Sequence, residues 1–247
     1  MSCWGNIWSV AKRELSGTVS SPVAYVFVVI FLLLSSFFTF MIGGFFERGQ
    51  ASLVSFFGWH PWLYLFLVPA VGMRMWAEER RSGTIELLFT LPITTWQAIA
   101  GKFLAYLVII ATALLLTFPV WITVNYLGAP DNGVIVASYV GSLLLGASYL
   151  AVTSFTSALT RNQVVSFILS VVICLFLILC GWPPVLNLLS RVTGQGFVDL
   201  VAAFSFMTHF ENIQRGVLDL RDIVFFASVI VFFLFATHAV LRARRAG

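Results

Sequence analysis

Only 10% of this chain is charged, yet four charges stand together in Glu78-Glu79-Arg80-Arg81, directly ahead of Ser82-Gly83. Paired carboxylates can do general-base work. An intramembrane protease of the Glu-Glu-x-x-x-Arg pattern needs arginine where this sequence has Gly83. Nucleotide chemistry fails on similar grounds. A Walker A loop needs glycine five residues ahead of the Gly-Lys pair and Ser or Thr after it, but Gly101-Lys102 is framed by Trp96 and Phe103. The chain has neither a Gly-x-Ser-x-Gly nor a His-Glu-x-x-His motif. His60, His209 and His238 fall in different segments. His209 and Glu211 offer two ligands where a zinc site takes three or four. Cys174 and Cys180 are six apart in one helical run and cannot bridge, and Cys3 stands alone. The chain therefore reads as a non-catalytic subunit, with no cofactor or metal of its own. Well inside its apolar runs there is no acidic residue, lysine or histidine, apart from His238 near the last helix end. Such groups are the usual proton relays of a membrane protein, so the energy for any movement is expected to come from outside the chain.

Composition shows what has to position these residues. The 247 residues are 60% hydrophobic, include 25 phenylalanines and have a mean hydropathy of +0.98. A soluble domain carries about 25% charged residues, so the fold class expected is all-α and polytopic in a membrane. Runs long enough to cross, about 20 residues each, fall at Pro22–Ile42, Trp59–Trp76, Phe103–Val124, Val134–Leu159, Val164–Trp182 and Ile223–Leu241. The second is the weakest, because His60 and Pro61 blur its start and Pro69 interrupts it. Six spans put both termini on one side. Lys and Arg accumulate in cytoplasmic loops. With the termini inside, ten of the 14 basic residues are cytoplasmic, including Lys12, Arg13, Arg74, Arg80, Arg81 and Lys102, and four are outside. The net charge of +4 follows from this bias and gives no ground for nucleic-acid binding.

Local patterns complete a single membrane domain over residues 1–247. Residues 1–21 form a basic amphipathic helix, with Trp4, Ile7, Trp8, Ala11 and Leu15 on one face and Asn6, Ser9, Lys12, Arg13 and Glu14 on the other. Such a helix lies in the cytoplasmic interface against lipid, and no cleavable leader is evident. Ser21-Pro22 caps the first span. Residues 22–182 hold spans one to five. The fourth repeats small residues every fourth position, as in Ser142/Gly146 and Ser154/Ala158, which allows close helix packing. Residues 183–222 are an outer segment of short interfacial or re-entrant helices, with Asp219 or Asp222 capping the last span. Residues 223–247 are span six and a basic tail. Between spans two and three, Ser82-Gly83 stops one helix, Pro92 ends a short apolar helix over 84–91, and Thr94 with Gln97 opens the next as a capping box. A short apolar helix of Ile85, Leu87, Leu88, Phe89 and Leu91 held crosswise there suits docking into a partner's groove, and composition alone equally allows an amphipathic loop resting on lipid headgroups.

The stretch AEERRSGTIELLFTLPITTWQAIAGKFLA, residues 77–105, resembles the signature of type-2 ABC transporter membrane subunits. Its E-x-x-x-G-T-x-E-x-L pattern is carried by Glu79, Gly83, Thr84, Glu86 and Leu88, and the interfacial helix, six spans and long outer segment also fit. HFENIQRGVLDLRDIVFF, from His209, looks like the branch associated with gliding motility and nitrous-oxide-reductase maturation. The resemblance implies a bacterial cytoplasmic (inner) membrane and a coupling helix, 84–91, docking on one of two ABC ATP-binding subunits that hold the ATP and Mg. Glu79, Gly83, Thr84, Ile85, Glu86 and Leu88 then form the ATPase-coupling site. It further implies a second permease subunit, homodimeric or heterodimeric, and a substrate that is exported. The alternative is a membrane scaffold passing ATPase cycles to an extracytoplasmic accessory protein.

Overall fold

A computed structural model of the protein describes residues 3–47, 52–86, 93–191, 194–216 and 219–245. Those residues are helices and short connections, with no strand among them. In chain order they are α1 (Cys3–Val19), α2 (Pro22–Phe37, continued by a π turn at Phe38–Ile42), α3 (Val54–Gly58), α4 (His60–Gly72), α5 (Arg74–Ser82), α6 (Thr95–Leu115) and α7 (Phe118–Leu127). Then follow α8 (Asn132–Leu159), α9 (Gln163–Leu179), α10 (Pro183–Ser190), α11 (Gln195–Ala202), α12 (Phe206–Gln214) and α13 (Leu220–Arg245).

The helix starts follow local sequence chemistry. Ser21 accepts the Val23 N–H ahead of a first-turn Pro22. Thr94 and Gln97 form the full reciprocal capping box, at 3.3 and 2.9 Å. Asp131 accepts from Gly133 and Val134 to open α8, and Asp219 accepts the Arg221 N–H at the start of α13.

Four stretches are long and apolar enough to cross a membrane: Pro22–Ile42, Thr95–Leu127, Asn132–Leu159 and Leu220–Ala243. A fifth is available if α9 and α10, bent by 65° at their junction, count as one. These four contain or largely overlap the first, third, fourth and sixth expected runs. The expected second run is different. Its helical core is α4, 13 residues and so about 20 Å long, and the chain breaks at Gly72-Met73 before resuming as α5.

That break is repaired by α8. The first N–H groups of a helix have no partner inside it, and where water is absent each must find one in the protein. Ser157 accepts the N–H groups of Trp76 and Ala77, both at 3.0 Å, and donates to Met73 O at 2.9 Å. Ser154 accepts from the Trp76 indole at 3.1 Å. α8 is the centre of the bundle, touching α4, α5, α6, α9, α12 and α13. Its small residues are buried at these contacts. A Cβ on Gly141 would fall 2.7 Å from Ile213, so α12 lies too close there for any side chain.

α1 corrects one expectation. It lies along α6, and the face that packs there carries Val10, Ala11 and the half-buried Ile7, Glu14 and Leu15. Trp4 and Trp8 point away, 79% and 70% exposed. The close crossing fixes this rotation, since a Cβ on Gly101 would come within 2.7 Å of Val10. In the outer segment α10 buries nothing and α11 only Val198, whereas α12 buries Phe206, His209, Phe210 and Ile213.

Candidate functional site: the root of the 84–91 segment

The predicted site residues begin in α5, which leaves the bundle carrying Glu79 and ends at Gly83. Gly83 takes φ +75, the left-handed cap expected of it, in open space. Its requirement is therefore for backbone freedom rather than for room. Ser82 Oγ reaches back to Glu78 O (3.0 Å) and forward to the Thr84 hydroxyl (2.9 Å), which fixes the exit direction. Residues 84–86 are helical. Thr84 and Glu86 are exposed, while Ile85 is half-buried and packs on the chain's own apolar core. Leu88 and the rest of the 84–91 helix lie outside the described residues.

Glu79 turns inward. Its Oε1 lies 2.9 Å from Lys102 Nζ, and that ammonium also meets Glu14 Oε2 at 3.3 Å and donates to Met75 O at 3.0 Å. Lys102 sits 5.0 Å from the centroid of the Trp76 ring, with 2% of its side chain exposed. A buried ammonium requires compensating charge and hydrogen bonds; here two carboxylates, a carbonyl and an aromatic face supply them. One lysine thus ties α6 to α5 and α1. Around it, Arg80 Nη1 donates to Ala158 O at the end of α8, Gln163 donates to Glu78, and Asn6 donates to the capping Gln97 at 3.4 Å. The base of the segment is welded to α1, α6, α8 and α9.

The pattern of α1 puts Glu14 on its polar face with Lys12 and Arg13, and the charge distribution makes Lys102 only one cytoplasmic charge among ten. The expected runs hold no acidic residue, lysine or histidine well inside them, apart from His238 near the last helix end. Lys102, His60, His209 and Asp222 are nonetheless all buried against the protein itself, at or beyond the ends of the expected runs. His60 opens α4 among Phe31, Phe56, Phe57 and Tyr64, with Nδ1 2.6 Å from Ser142 Oγ. His209 does not turn to Glu211. Its Nδ1 lies 2.5 Å from Asp222 Oδ1, Nε2 donates to Ala203 O at 3.1 Å, and its ring stacks on Phe225. Both ring nitrogens are committed inside the chain. His238 is half-buried and stacks on Trp96 at 4.6 Å, placing the end of α13 beside the start of α6. Among the described residues no three metal-binding side chains cluster.

Residues 63–245, from within α4 to the end of α13, match the model of the family described as ABC-2 family transporter protein. No curated protein matches the chain.

Proposed function

This chain belongs to the ABC-2 transporter family, and from that membership we propose that it is the permease subunit through which a separate ATPase drives substrate outward. In this reading the chain crosses the membrane six times, with α4 and its continuation as the second crossing, and both termini are cytoplasmic. Two ATPase subunits hold the ATP and Mg, and a second permease subunit completes the assembly. The segment from Thr84 to Leu91 is the part that docks. The stretch from His209 is our ground for the gliding-motility and nitrous-oxide-reductase-maturation branch.

One observation carries the coupling reading. α5 is short and broken from α4, but it is bound at its base through Glu79–Lys102–Glu14, Ser157 and Arg80. A rigid arm with a multiply anchored root passes displacement at its tip to the helices at its root, whereas a loop resting on lipid would need no such anchoring. Ile85 packs on the chain itself, so the discriminating changes are Glu86→Lys and Leu88→Asp. An apolar anchor fully buried on docking is worth roughly 1.5–3 kcal/mol. Leu88→Asp is expected to weaken co-purification with the coexpressed ATPase by at least tenfold without altering membrane insertion. Glu86→Lys is expected to weaken it less and in a salt-dependent way, since an exposed ion pair is worth about 0–1 kcal/mol. Full ATPase binding by both variants would remove the coupling role.

A further inference from the structure

Where α1 meets α2, a cavity of about 260 Å³ opens between the interfacial helix and the start of the bundle. Its lining carries two guanidinium groups, Arg13 and Arg74, and two carboxylates, Glu14 and Glu78. These charges are not equally occupied. Arg13 is paired with Glu14 at 3.2 Å, Glu14 is shared with Lys102, and Glu78 takes the Gln163 amide. Arg74 makes no hydrogen bond or ion pair with any described residue. The lining also holds apolar side chains, the half-buried Val23 from the first turn of α2 and the buried Val71 from the end of α4. The hydroxyl-bearing residues Thr18, Ser21 and Tyr106 complete the lining.

We infer that this cavity binds the headgroup of a membrane phospholipid, with its phosphate on Arg74 and Arg13 and its glycerol and ester carbons against Val23 and Val71. The exposed guanidinium groups and the less exposed valines offer the two chemistries that a lipid headgroup and its glycerol carbons need. Guanidinium groups hold phosphate in bidentate geometry, and basic pockets between membrane helices at the interface take lipid headgroups. A free phosphate would satisfy the arginines and leave the valine wall unused. The site also lies where the chain must meet lipid, because α1 runs along the interface and α2 enters the membrane at Pro22. The inference rests on that interfacial placement of α1, and not on ATPase coupling or on the side to which the termini face.

The test uses the full chain, purified in detergent and reconstituted in nanodiscs of phosphatidylglycerol and phosphatidylethanolamine, with retained lipid read by native mass spectrometry. Arg74→Gln is expected to lower retained phospholipid about tenfold, the factor for one lost charge-assisted hydrogen bond. Arg74→Lys should retain more lipid than Arg74→Gln, and Arg242→Gln, outside the cavity, should match the parent. Millimolar inorganic phosphate should not displace the lipid. Equal retention in Arg74→Gln and Arg242→Gln overturns the site. Displacement by inorganic phosphate makes it a free-anion site and overturns the lipid assignment. Unchanged lipid with loss of the coexpressed ATPase in Arg74→Gln would assign the arginine to the protein interface instead. Loss of ATPase in Leu88→Asp tests the coupling segment separately and leaves retained lipid untouched.

Discussion

Removing the Lys102 ammonium would leave Glu14 and Glu79 facing one another across a nearly dry gap, so the consequence depends on what remains. Breaking a buried ion pair costs about 3–5 kcal/mol because the surviving charge is stranded. Both carboxylates keep some exposure, 16% and 19%, so Lys102→Met is expected near the low end, at about 3 kcal/mol. A thermal melt in detergent measures it. Adding Glu14→Gln and Glu79→Gln to Lys102→Met should recover most of the loss, since the stranded charges then disappear. If the triple variant melts no higher than the single one, Lys102 stabilises through its aliphatic packing instead. Gly83 follows a simpler rule. Its φ of +75 strains any residue with a Cβ even in open space, so Gly83→Ala should cost about 1 kcal/mol.

At the scale of elements, the joint between α4 and α5 depends on one hydroxyl from a third helix. Ser157→Ala strands two buried N–H groups, at about 1–3 kcal/mol in total once α5 relaxes. The strain should appear as local opening at Arg80 and Arg81, with trypsin cutting there roughly tenfold faster than in the parent while the bundle stays folded. An unchanged cutting rate would mean that the joint is held by packing alone. The joint also shows what the sequence could and could not disclose. Ser21-Pro22, the Thr94–Gln97 box, the Gly83 cap and the small residues of α8 were legible because each is a rule acting over one or two helical turns. The Ser157 repair spans 81 residues, and the Lys102–Glu79 bond spans 23. Such pairs depend on which helices become neighbours, and no local pattern encodes that. The partner of the Val10 and Ala11 stripe of α1 is illegible for the same reason. Tryptophans mark a lipid-seeking face, but the partner helix with its notch at Gly101 set the rotation.

For the molecule as a whole, the distribution of Lys and Arg predicts sidedness. Single cysteines at Ser82 and Ser190, both exposed, in a background lacking Cys3, Cys174 and Cys180, should label oppositely with an impermeant thiol reagent. Only Ser190→Cys should react in intact cells. Reaction at Ser82→Cys would invert the orientation. Substrate flux in reconstituted vesicles separates a permease from a scaffold that only transmits work. The packing of α1 on α6 has a consequence for synthesis. Asn6 and Gln97, which join the two helices, are 91 residues apart, and a ribosome adding about 5–20 residues per second takes roughly 5–20 s to cover that distance. For that interval the Val10 and Ala11 stripe lacks its α6 partner, and the membrane surface is an apolar refuge for it. Trp4 and Trp8, which stay exposed once α6 is in place, are expected to hold α1 there until it arrives. Nascent chains stalled before Thr95 should therefore cross-link from Val10 to lipid, and those stalled after Leu115 should cross-link from Val10 to α6.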